Sequence, residues 1–167
     1  AHRLERGDQA LRRTLRAARI TSVHVVVHDV IGGMAFGPIF DRILLDVPCS
    51  SLGTIRRDPD IRWSRRESDL PVLAARQARM IDEASRAVRR GGLLVYATCS
   101  SEPDEDDAGV DAFLGRHPDF VLEDPREEEP RLPEGVAACL DDRGCLRTLP
   151  HVHALEAFFA ARLRRRG

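Results

Sequence analysis

Hydrophobic positions recur with two different periods along this chain. Across residues 5–19, Leu11, Leu15 and Ala18 fall at helical spacing among Arg12, Arg13, Arg16 and Arg19, which predicts an amphipathic helix. Val23-His24-Val25-Val26-Val27 is a β-branched run and predicts a strand ending at His28-Asp29. Three glycines and a proline between Ile31 and Pro38 predict a loop. Arg42-Ile43-Leu44-Leu45 then reads as a strand buried on both faces, as in a parallel sheet, and stops at Asp46-Val47-Pro48-Cys49-Ser50.

The second half repeats the alternation. Ser68 or Asp69 can cap a helix with Pro71 in its first turn, and Leu73, Gln77, Met80, Ile81, Ala84 and Val88 carry its buried stripe. Gly91-Gly92 is the expected stop for that helix. Leu93–Ala97 is a second buried strand pattern ending at Thr98-Cys99-Ser100. Ser101-Glu102-Pro103-Asp104 has the form of a capping box, and the acidic run Asp104–Asp107 suits the positive end of a following helix. Val110, Phe113 and Leu114 give that helix an apolar face, and Phe120–Leu122 reads as a third short strand. Residues 123–135 are acidic and proline-rich, as solvated loops are. The tail from His153 to Arg166 fits a helix by its Ala, Leu and Glu, and a strand by Phe158-Phe159. Strands and helices alternating at crossover spacing predict an α/β fold with a mostly parallel sheet.

Composition narrows the picture less than it first suggests. At 167 residues, 43% hydrophobic and 32% charged, the chain can build one core and is too apolar for disorder throughout. No apolar run approaches the roughly 18 residues of a membrane span, and no basic-then-apolar leader opens the chain, so a cytoplasmic protein is expected. All 26 basic residues are arginine, with lysine and asparagine both absent. AT-rich codons encode both missing residues, so a GC-rich genome accounts for the bias without invoking RNA. The net charge of -1 adds no strong steering toward a polyanion. Cys49, Cys99, Cys139 and Cys145 are too few and too scattered for a disulfide framework, and neither CxxC nor zinc-finger spacing occurs, so no metal is expected.

Ligands of open α/β sheets bind beyond the carboxyl ends of the strands. Three strand ends here carry reactive side chains: Asp29, then Asp46 with Cys49, then Cys99. Pro48-Cys49-Ser50 and Thr98-Cys99-Ser100 are near-parallel contexts, each following a buried strand. If those strands are neighbours, both thiols and Asp46 meet on one rim, where a thiolate could act as a nucleophile. The plainer alternatives are a cysteine serving as a small buried hydrophobe and an aspartate serving as a turn or cap.

The words around these residues are specific. Phe40-Asp41-Arg42-Ile43-Leu44-Leu45-Asp46-Val47-Pro48-Cys49-Ser50-Ser51-Leu52-Gly53-Thr54, continuing into Arg57-Asp58-Pro59-Asp60-Ile61-Arg62-Trp63, forms the first. Gly91–Ser100, with Thr98-Cys99-Ser100 at its end, forms the second, and Leu149-Pro150-His151 before Phe158–Arg162 the third. Together they resemble the RNA cytosine-5 methyltransferases of the RsmB/Sun/NOP group, over nearly the whole chain. The resemblance implies a Rossmann-like class I methyltransferase fold, S-adenosylmethionine as cofactor and RNA, ribosomal in the bacterial members, as substrate. It further implies that Cys99 is the nucleophile adding to carbon 6 of cytosine and that Cys49 assists the later elimination. Asp46 matches the aspartate that contacts cytosine near N3 beside the cofactor, and Asp29 the position that recognises the cofactor's adenine. It also places Phe158–Leu163 as a sheet strand.

Some features depart from the pattern. The resemblance includes a glycine-rich loop after a first strand and an acidic residue ending a second, and nothing before Val23 supplies either. Ala1-His2-Arg3-Leu4 resembles the start of the helix after that second strand. Residues 1–167 are therefore expected to form part of a methyltransferase domain lacking its first strands, the glycine-rich loop and the N-terminal RNA-binding domain. A sheet without its first strand leaves an unpaired edge and invites association. Leu155-Glu156-Ala157 stands where Asp-Gly is more usual. The alternative to an enzyme is a non-catalytic remnant that folds or binds RNA, with Trp63 and the arginines of residues 56–66 as candidate contacts. A thiol redox role for Cys49 and Cys99 lacks CxxC, and thiols too far apart to bridge would remove it.

Overall fold

The computed structural model describes residues 2–128 and 131–167. Helix α1 (His2–Ala17) leads into an irregular stretch, followed by strand β1 (Phe40–Asp46), the short helix α2 (Ile61–Ser64) and the long helix α3 (Leu70–Ala87). Strand β2 (Val88–Thr98), helix α4 (Asp107–Arg116) and strand β3 (Phe120–Leu122) come next. Helix α5 (Glu134–Ala137), strand β4 (Leu146–Thr148), helix α6 (Pro150–His153) and strand β5 (Phe158–Arg165) complete the chain. The sheet order is β1-β2-β5-β3, with β4 also paired to β5.

β1 and β2 pair in parallel, whereas β5 runs antiparallel to β2, β3 and β4. Four strands thus share one direction and β5 alone opposes them, so the α/β sheet is mostly parallel in orientation. β3 and β4 lie end to end along one edge of β5, facing residues 163–165 and 158–160. α3 and α4 pack together on the face that carries Leu94, Tyr96, Phe159, Ala161 and Leu163, all at most 2% exposed. On the opposite face Leu44 is 71% exposed, so β1 is not buried on both faces as its apolar run predicts, because no element among the described residues covers that side of it. Arg162 and Arg164 on the same face pair with Glu123 and Glu128.

The structure corrects three further local expectations. Val23–Val27 forms no strand: it pairs with none among the described residues, and Val26 and Val27 are mostly exposed. β-branched side chains stabilise a strand through cross-strand neighbours, and without them the preference has nothing to act on. The Val25 carbonyl instead accepts from Arg12 Nη2 of α1 at 2.9 Å. Secondly, α3 ends at Ala87, before Gly91-Gly92. Those glycines serve a bulge in β2, where the partners jump from Phe40↔Val88 to Arg42↔Leu93 and Gly91 takes a φ of 72°. Thirdly, α4 begins at Asp107 rather than after Ser101, and residues 103–106 form turns ahead of it. The tail settles as strand β5, because the edge of β2 supplies Leu93–Thr98 as a ladder for it.

Candidate active site

The register of β1 and β2 brings their ends level, with Asp46 opposite Ala97. Val47 N–H extends the ladder by donating to the Ala97 carbonyl at 3.1 Å, after which both chains leave the sheet. Their next residues meet: Cys49 Sγ and Cys99 Sγ are 3.2 Å apart. Ser51 then turns the first loop back with a left-handed φ of 62°, and its Oγ lies 3.6 Å from Cys99 Sγ. Gly53 locks that loop down, its N–H donating to the Cys99 carbonyl at 3.1 Å and its carbonyl accepting from Ala157 N–H at 3.0 Å. A Cβ there would sit 2.2 Å from the Ala157 carbonyl oxygen, so only glycine permits the approach.

The two thiols differ in setting. Cys49 is buried and Cys99 half-buried. Burial, reinforced by the hydrogen bond with Cys99, pushes the Cys49 thiol up to about 12, so it keeps its proton across the neutral range. A protonated Cys49 can donate to Cys99 Sγ, and Cys99 is the more exposed thiol of the two. Their contact leaves standing the redox reading that a wide separation would have removed.

Behind the thiols sits a polar cluster. Glu105 is completely buried; its Oε1 accepts from Ser50 N–H at 2.9 Å and from Gln77 Nε2 at 2.8 Å. Its Oε2 accepts from the hydroxyls of Ser50 and Ser100, both at 2.5 Å. Gln77 Nε2 also reaches the Pro48 carbonyl at 3.0 Å, and Tyr96 OH donates to the Glu105 carbonyl at 2.7 Å. Asp106, equally buried, accepts from Thr98 Oγ1 at 2.7 Å and from Arg147 Nη1 at 3.4 Å. Desolvation outweighs both partners and raises its carboxyl to about 7.

Asp46 lies at the same end of the sheet, exposed, its carboxylate without a hydrogen-bond partner among the described residues. Asp29 does not close a paired strand. It caps the single turn Val30–Gly32, its Oδ1 accepting from Ile31 N–H at 3.1 Å. There it borders a cleft of about 510 Å³ with Val27, Ile31, Arg76 and Met80. Trp63 is 86% exposed on α2, and Arg56, Arg57, Arg62 and Arg66 beside it make no ion pair among the described residues. The next residue but one, Arg65, ties this segment to the site by donating from Nε to the Ser50 carbonyl at 2.9 Å.

Sequence reasoning missed Glu105, Asp106 and the serines. The acidic run read as suited to the positive end of a helix, a role that calls for no buried partner. Gln77 carried the available signal: a polar residue in an apolar stripe requires a buried partner.

The family described as 16S rRNA methyltransferase RsmB/F matches residues 1–164. The chain belongs to that family. A probable ribosomal RNA small subunit methyltransferase B of Bacillus subtilis is 41% identical over 128 residues, which is 77% of this chain and 28% of the relative. Two solved structures from Pyrococcus horikoshii each align with 94% of this chain. A methyltransferase homolog protein is 27% identical with a TM-score of 0.70 over 49% of its length, and NSun6, solved with SFG, is 26% identical with a TM-score of 0.72 over 38%. The fold of this RsmB/F member is thus the Rossmann-like methyltransferase one. The matched segments, of 88–128 residues, span only 20–28% of the length of the first three curated relatives.

Proposed function

We propose that this RsmB/F member carries the reacting centre for methyl transfer to carbon 5 of cytosine in RNA, and that the RNA is ribosomal. The observation that supports it is the contact of Cys49 and Cys99 at 3.2 Å, at the ends of adjacent parallel strands. Cytosine is too weak a carbon nucleophile unaided. Cys99 Sγ adds to carbon 6, the ring electrons move onto carbon 5, and Asp46 hydrogen-bonds or protonates N3 to offset the developing charge. S-adenosylmethionine supplies the electrophilic methyl group. Release requires transfer of the carbon 5 proton to solvent water, the electron pair of that bond re-forming the ring double bond as the Cys99–carbon 6 bond breaks. Cys49, protonated and touching Cys99 Sγ, can donate to the departing thiolate.

The chain's residues fit an adenosyl group at Asp29. An exposed carboxylate suits the adenine amino group, and Val27, Ile31 and Met80 provide apolar walls. Trp63 and the unpaired arginines of residues 56–66 offer stacking and phosphate contacts for single-stranded RNA, tethered through Arg65 to the cysteine loop. Residues 1–167 are then part of a methyltransferase domain, and an rRNA substrate places its work in the cytoplasm.

Calorimetric titration of S-adenosylmethionine into the 167-residue chain tests the cofactor half of this reading. Micromolar binding that Asp29→Ala removes is the expected result. Absence of heat would favour the second reading, a remnant that folds or binds RNA without catalysis. The unpaired Val23–Val27 segment that presents Asp29 is the observation on that side.

A further inference from the structure

We propose that Glu105 is the positioning residue that sets the spacing of Cys49 and Cys99. The inference rests on reading those thiols as the reacting pair. Each cysteine is followed by a serine, and one carboxylate holds both serines: Oε2 accepts from Ser50 Oγ and Ser100 Oγ, each at 2.5 Å. Oε1 fixes the first loop twice more, directly through Ser50 N–H and indirectly through Gln77, whose Nε2 also holds the Pro48 carbonyl. The two hydroxyls lie 3.1 Å apart, almost the separation of the two sulfurs one residue earlier. Glu105 therefore fixes matched positions on two loops that leave the sheet independently.

The chemistry of the clamp explains why a carboxylate stands there. Four donors converge on two oxygens, and an ionised carboxylate is acceptor-only with room for four bonds. It is fully buried, and its own carbonyl is held by Tyr96 OH. Alanine would leave Ser50 N–H and two hydroxyls without this acceptor and free the loops from each other. Glutamine can keep the clamp: its carbonyl replaces Oε1, its amide donates at the Oε2 position, and both serine hydroxyls rotate to accept.

The test reads the spacing itself and needs neither RNA nor S-adenosylmethionine, so it can fail while the methyl-transfer reading stands, and the reverse. Equilibration of the 167-residue chain with glutathione measures the effective concentration of the thiol pair. One glutathione disulfide is reduced to two glutathione thiols as Cys49 and Cys99 are oxidised to a disulfide, quantified by mass spectrometry of the two cysteine peptides. Glu105→Ala is expected to lower that effective concentration about tenfold or more, the equivalent of one lost buried hydrogen bond, while Glu105→Gln stays within about threefold of the parent. A role in stability alone would lower the melting temperature without moving the effective concentration. An unchanged value in a folded Glu105→Ala chain, or equal losses in both variants, overturns the proposal. Should Glu105→Ala fail to fold, Ser100→Ala removes one arm of the clamp and is expected to lower the value in the same direction; no change there overturns it too.

Discussion

Glu105 and Asp106 are adjacent and both fully buried, yet their partners differ in kind. Glu105 meets four donors, whereas Asp106 meets one hydroxyl and the more distant guanidinium of Arg147. Glu105 and Asp107 crowd Asp106 with like charge, and burial decides the balance, raising its carboxyl from 3.8 to about 7. Between those values the native chain keeps a proton that the unfolded chain has lost. For this group stability is therefore full below the ordinary carboxylate value, falls as pH rises toward about 7 and levels off above it. Asp106→Asn removes the ionisation while an amide can still bond Thr98, and Arg147 retains its ion pair with Asp107. Urea unfolding is expected to show the variant gaining on the parent between about pH 4 and about pH 7, by an amount on the order of a few kcal/mol, with no further gain above that. A difference that does not change with pH would contradict this assignment of the buried proton.

At the scale of elements, periodicity located β1, the core of β2, α3 and β3, and failed where tertiary partners decide. Their apolar runs and stripes are what a strand or helix face packed on a core requires, although in β1 only Leu45 is buried; β4 carried no such run, and β5 fitted helix and strand alike. The cysteine pair was legible in the same way, from two similar motifs after two such strands. Val23–Val27 was misread, since propensity speaks only when a ladder is present. Amide hydrogen exchange should separate these cases: residues 23–27 are expected to exchange with the fastest amides, and β2 and β5 with the slowest. Protection of 23–27 equal to that of β2 would show pairing that this fold does not contain. The bulge at Gly91 and the role of Glu105 were illegible for a related reason: each answers groups far away in sequence. Glu105 joins Ser50 across 55 positions, and no local window spans that distance.

The whole molecule is a mixed sheet whose two adjacent cysteines come from its parallel pair, β1 and β2. β1 and β2 deliver the two cysteines, and α3 and the α4 entry deliver the residues that brace them from behind. β5, reversed between β2 and β3, brings Ala157 against Gly53 and closes the back of the cysteine loop. β1 has a partner on one side only among the described strands, and Leu44 on its outer face is exposed, so the architecture concentrates its order around β2. Cys49, Cys99 and the Glu105 contacts sit at the exits of paired strands, whereas Asp29 lies on an unpaired segment; the thiol chemistry is accordingly the part of the proposal that this structure supports most strongly.

Covalent trapping tests that claim most directly. RNA containing 5-fluorocytosine, incubated with this chain and S-adenosylmethionine, cannot lose a proton from carbon 5 after methylation, so the cysteine–carbon 6 bond persists. The account predicts a stable protein–RNA adduct whose peptide maps to Cys99, absent in Cys99→Ala and retained in Cys49→Ala. An adduct on Cys49, one that survives Cys99→Ala, or none at all would contradict it.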